Sequence, residues 1–100
     1  MTEVEIVRIP VAPSNMERLV AAFVEGRAGY LAPPACLAIE LLAPDDGTTL
    51  VAMLRWASPA AHAAAFATPE AQSFLAHVGE LASAPPSVER TRAIYVESLG

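Results

Sequence analysis

The stretch Thr48–Phe66, TTLVAMLRWASPAAHAAAF, holds a strand, a sharp turn and the start of a helix. Leu50, Ala52, Leu54 and Trp56 share one face at period two, opposite Thr49, Val51, Met53 and Arg55, which is the signature of a strand. The strand ends at the chain's single tryptophan, Trp56. Two residues later Ser58-Pro59 supplies an N-cap followed by proline at the first helical position. His62 and Phe66 lie four residues apart on that helix, so they point within about 40° of each other. A bulky aromatic at a strand end, beside a titratable helix residue, is either a core corner or one wall of a pocket.

Upstream, Cys36–Leu42 reads as a strand with Leu37, Ile39 and Leu41 on one face. Pro44-Asp45-Asp46-Gly47 is a turn signal that joins it to the Thr48 stretch as a hairpin. Downstream, Thr68-Pro69 repeats the helix start, predicting a break and a second helix over Pro69–Ala82. That helix would place Ala71, Phe74, Leu75, Val78 and Leu81 on one face. Pro85-Pro86 end it, and Val88–Leu99 reads as a last strand. At the N-terminal side, Glu3–Val11 is a strand with Val4 and Ile6 opposed to Val7, Ile9 and Val11. Ser14-Asn15-Met16-Glu17 has the form of a capping box, opening a helix with Met16, Leu19, Val20, Phe23 and Val24 as its apolar stripe. Gly26 and Gly29 weaken its last turns and Pro33-Pro34 stop it. Arg27 falls on the stripe, so either the helix loosens before it or its charge reaches a cavity.

The element order is β-α-β-β-α-β. This is the ferredoxin-like α+β arrangement, one four-stranded antiparallel sheet with its helices on a single face. One hundred residues are expected to form one domain, residues 1–100. Apolar residues make up 54% of the chain against 17% charged, an unusually apolar balance for a sheet covered on one face only. The other face would leave Val51 and Met53 beside Val4 and Ile6 in water. A homodimer packing sheet on sheet is the economical answer.

Composition also excludes partners. The net charge is −5 and all six basic residues are arginines without a clustered footprint, so no nucleic-acid partner is expected. No run approaches the roughly 18 apolar residues of a membrane span. Met1-Thr2-Glu3 lacks a basic start, so no membrane partner and a cytoplasmic location are expected. A single cysteine, Cys36, excludes an internal disulfide, and reads as a small buried hydrophobe. His62, His77, Glu70 and Glu80 show no recognised metal-ligand spacing.

The Ser14 helix, the hairpin, the strand ending in Trp56-Ala57-Ser58, the restart at Thr68-Pro69 and Phe74 together resemble the antibiotic biosynthesis monooxygenase domain, over residues 3–98. The resemblance implies a dimeric α/β barrel built from two ferredoxin-like sheets. It further implies membership among cofactor-free oxygenases of hydroxylated aromatics or quinols, a haem-degrading branch, or relatives without assigned chemistry. The haem-degrading branch requires an Asn, a Trp and a His where Val7, Ala65 and Leu75 stand, so that branch does not fit. Quinol-type members carry a histidine where Ala65 stands. His62 lies one helical turn earlier, where some members with anthrone-type substrates hold a tyrosine.

On this reading His62 is the general base that deprotonates a small phenolic, anthrone or quinol-type ligand for reaction with O₂, with no cofactor. Trp56, Phe66, Phe74 and Tyr30 are the expected substrate-binding walls, and His77 a surface or rim residue. Set against this, His62 is equally readable as a half-buried histidine with one hydrogen bond, and Trp56 as ordinary core. The alternative function is a non-catalytic dimeric module that binds a small molecule on the same scaffold.

Overall fold

Strands β1 (Glu3–Pro10), β2 (Cys36–Leu42), β3 (Thr49–Trp56) and β4 (Ser87–Arg92) form one antiparallel sheet in the order β2-β3-β1-β4. Helices α1 (Met16–Glu25), α2 (Pro59–Phe66) and α3 (Pro69–Leu81) complete the ferredoxin-like order. The structure, a computed structural model, describes residues 2–100. In β3 every second residue, Leu50, Ala52, Leu54 and Trp56, is buried, and the four between them are half-buried. The buried face packs on Leu19 and Phe23 of α1 and on Ala71, Val78 and Leu81 of α3. Burial of these side chains is the main favourable contribution to folding, at about 1.5–3 kcal/mol for each large aliphatic.

The punctuation of the chain is where the local chemistry demands it. Gly47 closes the β2–β3 turn at φ 69°, a left-handed conformation that an L side chain resists. The Thr48 N–H donates to the Asp46 carboxylate at 2.8 Å, which holds the turn from the other side. Ser58 and Thr68 cap α2 and α3 as their sequences predict, accepting from Ala61 N–H at 3.0 Å and Ala71 N–H at 3.2 Å.

Four expectations need correction. The Ser14–Glu17 capping box does not form. Pro13 starts a short 3₁₀ turn over Pro13–Asn15, Asn15 takes the N-cap position of α1, and no side chain caps it. Helix α1 ends at Glu25 and gives way to a 3₁₀ turn over Gly26–Ala28, which carries Tyr30 and Leu31 off the helical stripe and back into the core. As one of the two alternatives for Arg27 has it, the helix loosens before that residue, whose Nε donates to the Val24 carbonyl at 3.0 Å and whose side chain lines an open cleft with Pro33 and Leu37. A register irregularity between Cys36 and Ala38 leaves Leu37 51% exposed, off the face expected for it with Ile39 and Leu41. The last strand stops at Arg92 rather than continuing to Leu99. Its partner β1 begins at Glu3, and the last rung is Ala93 N–H to the Thr2 carbonyl at 3.2 Å.

Candidate functional site

The inner face of β1 is apolar at Val7, Ile9 and Val11, but at the same period it carries two acids, Glu3 and Glu5, both buried. Register places Glu3 opposite Trp56 and Glu5 opposite Leu54, so both carboxylates sit at the Trp56 end of the sheet. Helix α2, started by its Ser58 cap, lays His62 over that end with only 2% of its surface exposed. The loop after the Gly26–Ala28 turn brings in Tyr30. Four elements distant in sequence thus meet around one imidazole.

The ring of His62 stacks on Trp56, with centroids 4.2 Å apart and planes 5° from parallel. Its Nδ1 is hydrogen-bonded to the Glu3 carboxylate. A carboxylate can only accept there, so Nδ1 carries the proton and Nε2 has its lone pair free. The Tyr30 hydroxyl, 3.1 Å away, donates to Nε2. On the other side Glu5 Oε1 lies 3.6 Å from Nε2 and accepts a hydrogen bond from the Trp56 indole N–H at 3.1 Å. Among the described residues no buried side-chain nitrogen or oxygen lacks a partner. The phenol of Tyr30 is pushed well above its ordinary range, first by burial and then by the negative charge of Glu5. It is therefore a hydrogen-bond donor at every ordinary pH.

Next to this network, between sheet and helices, is a cavity of about 270 Å³. Val7, Ile9 and Leu54 floor it, Phe23, Phe74 and Val78 roof it, and Glu5 and Tyr30 are its polar members. A 150 Å³ apolar cavity holds benzene, so this larger space suits a small aromatic. Two larger clefts, of about 370 and 780 Å³, lie outside it. The first runs between α1 and α3, with Tyr30 and Phe74 as the wall it shares with the cavity and His77 at its edge.

Of the five residues expected at the site, Tyr30 and Phe74 line the cavity. Trp56 and His62 lie behind Glu5 and Tyr30 and do not line it. Phe66 is 44% exposed at the end of α2, its ring 6.5 Å from that of Tyr30. Glu3 and Glu5 are the members that sequence reasoning missed. Their signal was present: two acids at period two with Val7, Ile9 and Val11 on the strand's inner face. Among the described residues no group of three or more His, Cys, Asp or Glu is arranged to hold a metal ion, and no helix is long and apolar enough to cross a membrane.

With this geometry in hand, the chain was compared with known proteins. Among curated proteins none matches it. Among solved structures it is similar to Rv0793 of Mycobacterium tuberculosis, at 24% identity and a TM-score of 0.80 over 98% of this chain and 100% of that one. It is also similar to a variant of SnoaB, a cofactor-independent oxygenase from Streptomyces nogalater. There the identity is 19% and the TM-score 0.79, with 95% of each chain covered. A conserved protein from Methanosarcina mazei Go1 shares only 9% identity, yet its TM-score is 0.79 over 92% of both chains. At such identities the likeness speaks for the fold alone. The family model described as antibiotic biosynthesis monooxygenase matches residues 4–77, about three quarters of the chain, from Val4 in β1 to His77 in α3, and the chain belongs to that family.

Proposed function

We propose that this protein is a cofactor-independent monooxygenase that oxidises a small phenolic, anthrone or quinol-type aromatic with O₂. The observation that carries the reading is the buried carboxylate–imidazole–phenol chain, Glu3–His62–Tyr30, ending beside an apolar cavity large enough for a small aromatic. A cofactor-free oxygenase needs an electron-rich substrate anion in a dry site, and hence a proton acceptor that does not bring water with it.

In this reading the substrate hydroxyl meets the Tyr30 hydroxyl. Tyr30 passes its own proton to His62 Nε2 and takes the substrate's, and the electron pair of the broken O–H bond stays on the substrate oxygen. His62 is the base of the site at one remove, and Glu3 holds its Nδ1–H and balances the imidazolium. The resulting carbanion-like ring carbon gives electrons to O₂. One oxygen atom enters the product as a new carbonyl and the other leaves as water, the substrate itself supplying all the electrons. Phe74 is a cavity wall, Trp56 backs the site by holding Glu5 and His62, and Phe66 packs behind Tyr30. The cavity's Val, Leu, Ile and Phe lining keeps water out.

SnoaB, a cofactor-independent oxygenase on the same fold, supports the chemistry as a class. The test is turnover of an anthrone and hydroquinone panel with and without O₂. The expected result is O₂-dependent product with a His62→Gln variant slowed by about 10²–10⁴-fold, the usual contribution of general base catalysis. Equal rates without O₂, or an unaltered rate in the variant, defeat the reading. Stabilisation of the protein by the same aromatics without turnover would favour a non-catalytic binding module.

A further inference from the structure

We infer that Glu5 is the specificity-determining residue of the cavity, accepting a hydrogen bond from a hydroxyl of a neutral aromatic other than the one that meets Tyr30, and excluding aromatics that arrive as anions. The inference deepens the oxygenase reading: the anion that reading needs forms inside the site together with the His62 imidazolium, so the transfer adds no net charge, whereas a ligand that enters as an anion does. It stands on the cavity's own charge and not on turnover.

The two oxygens of Glu5 are unequal. Oε1 receives the Trp56 indole N–H and faces His62 Nε2, which fixes the carboxylate on its inner side. Oε2 makes no hydrogen bond to a described residue, and yet no buried side-chain oxygen among the described residues is without a partner. Oε2 therefore reaches accessible surface, and the surface that Glu5 lines is the cavity. An acceptor held rigidly by its twin, in an otherwise apolar space, is built to receive one O–H donor.

The sign of the site follows from counting. Glu3 and Glu5 are two carboxylates, and His62 can offer one positive charge at most. The phenol of Tyr30 adds none, because burial keeps it protonated. Arg90 stands opposite Glu5 in the β1–β4 register and its charge is felt at Tyr30, less than that of Glu5; it is exposed and makes no ion pair with a described residue. Arg92, opposite Glu3, is likewise exposed and unpaired among them. The cavity thus keeps a negative wall whether or not His62 is protonated, and in an apolar space a second negative charge meets strong repulsion.

The experiment uses two phenols of equal shape and different charge, para-hydroxybenzamide and para-hydroxybenzoate. Each is titrated anaerobically against the full chain by ligand-observed NMR. The wild-type protein should bind the amide about thirtyfold more tightly than the acid, the size of one like-charge pair held about 8 Å apart near a protein surface. Glu5→Gln keeps an acceptor for the Trp56 indole and removes the charge, and should narrow the ratio to about threefold or less. Leu75→Trp, which fills the cavity rim without touching Glu5, should weaken both probes alike and so fix the binding site. Three results overturn the inference: a wild type without preference, a preference that survives Glu5→Gln, or binding that ignores Leu75→Trp. Should the glutamine variant not fold, the wild-type ratio is measured with para-hydroxybenzenesulfonate in place of the acid. It should match the ratio found with the acid, because the discrimination is by charge and not by shape, and a sulfonate that binds as tightly as the amide overturns the inference equally. Because no probe is oxidised, absence of O₂ turnover would remove the oxygenase reading and leave this result standing.

Discussion

His62 owes its position to partners that no local pattern could reveal, since Glu3 lies 59 residues away in the chain. Helical spacing put His62 and Phe66 on neighbouring directions. In the eight-residue α2 that is enough to bury the first, while the second, at the helix end, is half in water. The inner-face acids were legible as a pattern but not as a pair, because strand register decides what a strand residue meets. Removing the imidazole leaves two buried carboxylates without their shared partner. His62→Ala should therefore lose about 3–5 kcal/mol in urea unfolding at neutral pH, and a loss under about 1 kcal/mol would show that water already screens the group. Tyr30→Phe removes the hydrogen bond to Nε2 and should lose about 1 kcal/mol at neutral pH. The gap should then close in alkali. Below the phenol's ordinary value of 10.0 Tyr30 is protonated in both folded and unfolded chains, so it adds no pH dependence. Above it the unfolded chain releases the proton first, because burial holds the folded value higher, and wild-type stability falls with pH while the phenylalanine variant escapes that part of the fall. Parallel stability curves for the two proteins through that range would contradict the assignment.

At the scale of elements, two of three helix starts were readable and one was not, and the difference is a single proline. Ser58-Pro59 and Thr68-Pro69 place the capping hydroxyl just before the proline, where it reaches a free N–H two residues further on. In Pro13-Ser14 the order is reversed. The proline begins its own 3₁₀ turn, Ser14 falls inside it, and the reciprocal box with Glu17 has no geometry to form in. Ser58→Ala should therefore cost about 1 kcal/mol and, because α2 carries His62, also slow any His62-dependent turnover. Ser14→Ala should stay within about 0.5 kcal/mol of wild type. Equal losses in the two variants, by chemical denaturation, would mean that Ser14 caps α1 after all. The overlong prediction for β4 has a comparable cause. β-branched and aromatic residues recur along Val88–Leu99, but a strand is only as long as its pairing, and the last described rung joins Ala93 to Thr2. Ile94, Tyr95, Val96 and Leu99 are left largely exposed as a result.

For the molecule as a whole, the two faces of the sheet have different fates. The helix-covered face buries Ile9, Leu50, Ala52, Leu54 and Trp56 almost completely. The opposite face presents Val4 and Ile6 of β1 beside Val51 and Met53 of β3, each only half-buried, with the Arg8–Glu89 ion pair at its β4 side. This surface is apolar at its centre and charged at its margin, the anatomy of an association surface rather than of a solvated sheet. A second copy related by a two-fold axis meets it with the same residues, which is how identical chains close an interface. A homodimer through this face is accordingly the expected solution state, and sedimentation velocity at micromolar concentration should report it. Ile6 is the residue to change, since its register neighbours are Met53 on one side and Glu89 on the other. A lysine there gains an acidic neighbour in the isolated chain, so Ile6→Lys should leave the fold intact. In the dimer the same lysine brings two like charges into an apolar contact, a repulsive element strong enough to give a monomer. Wild-type protein that sediments as a monomer, or an Ile6→Lys variant that still dimerises, would show that the apolar centre of this face serves something other than a second copy.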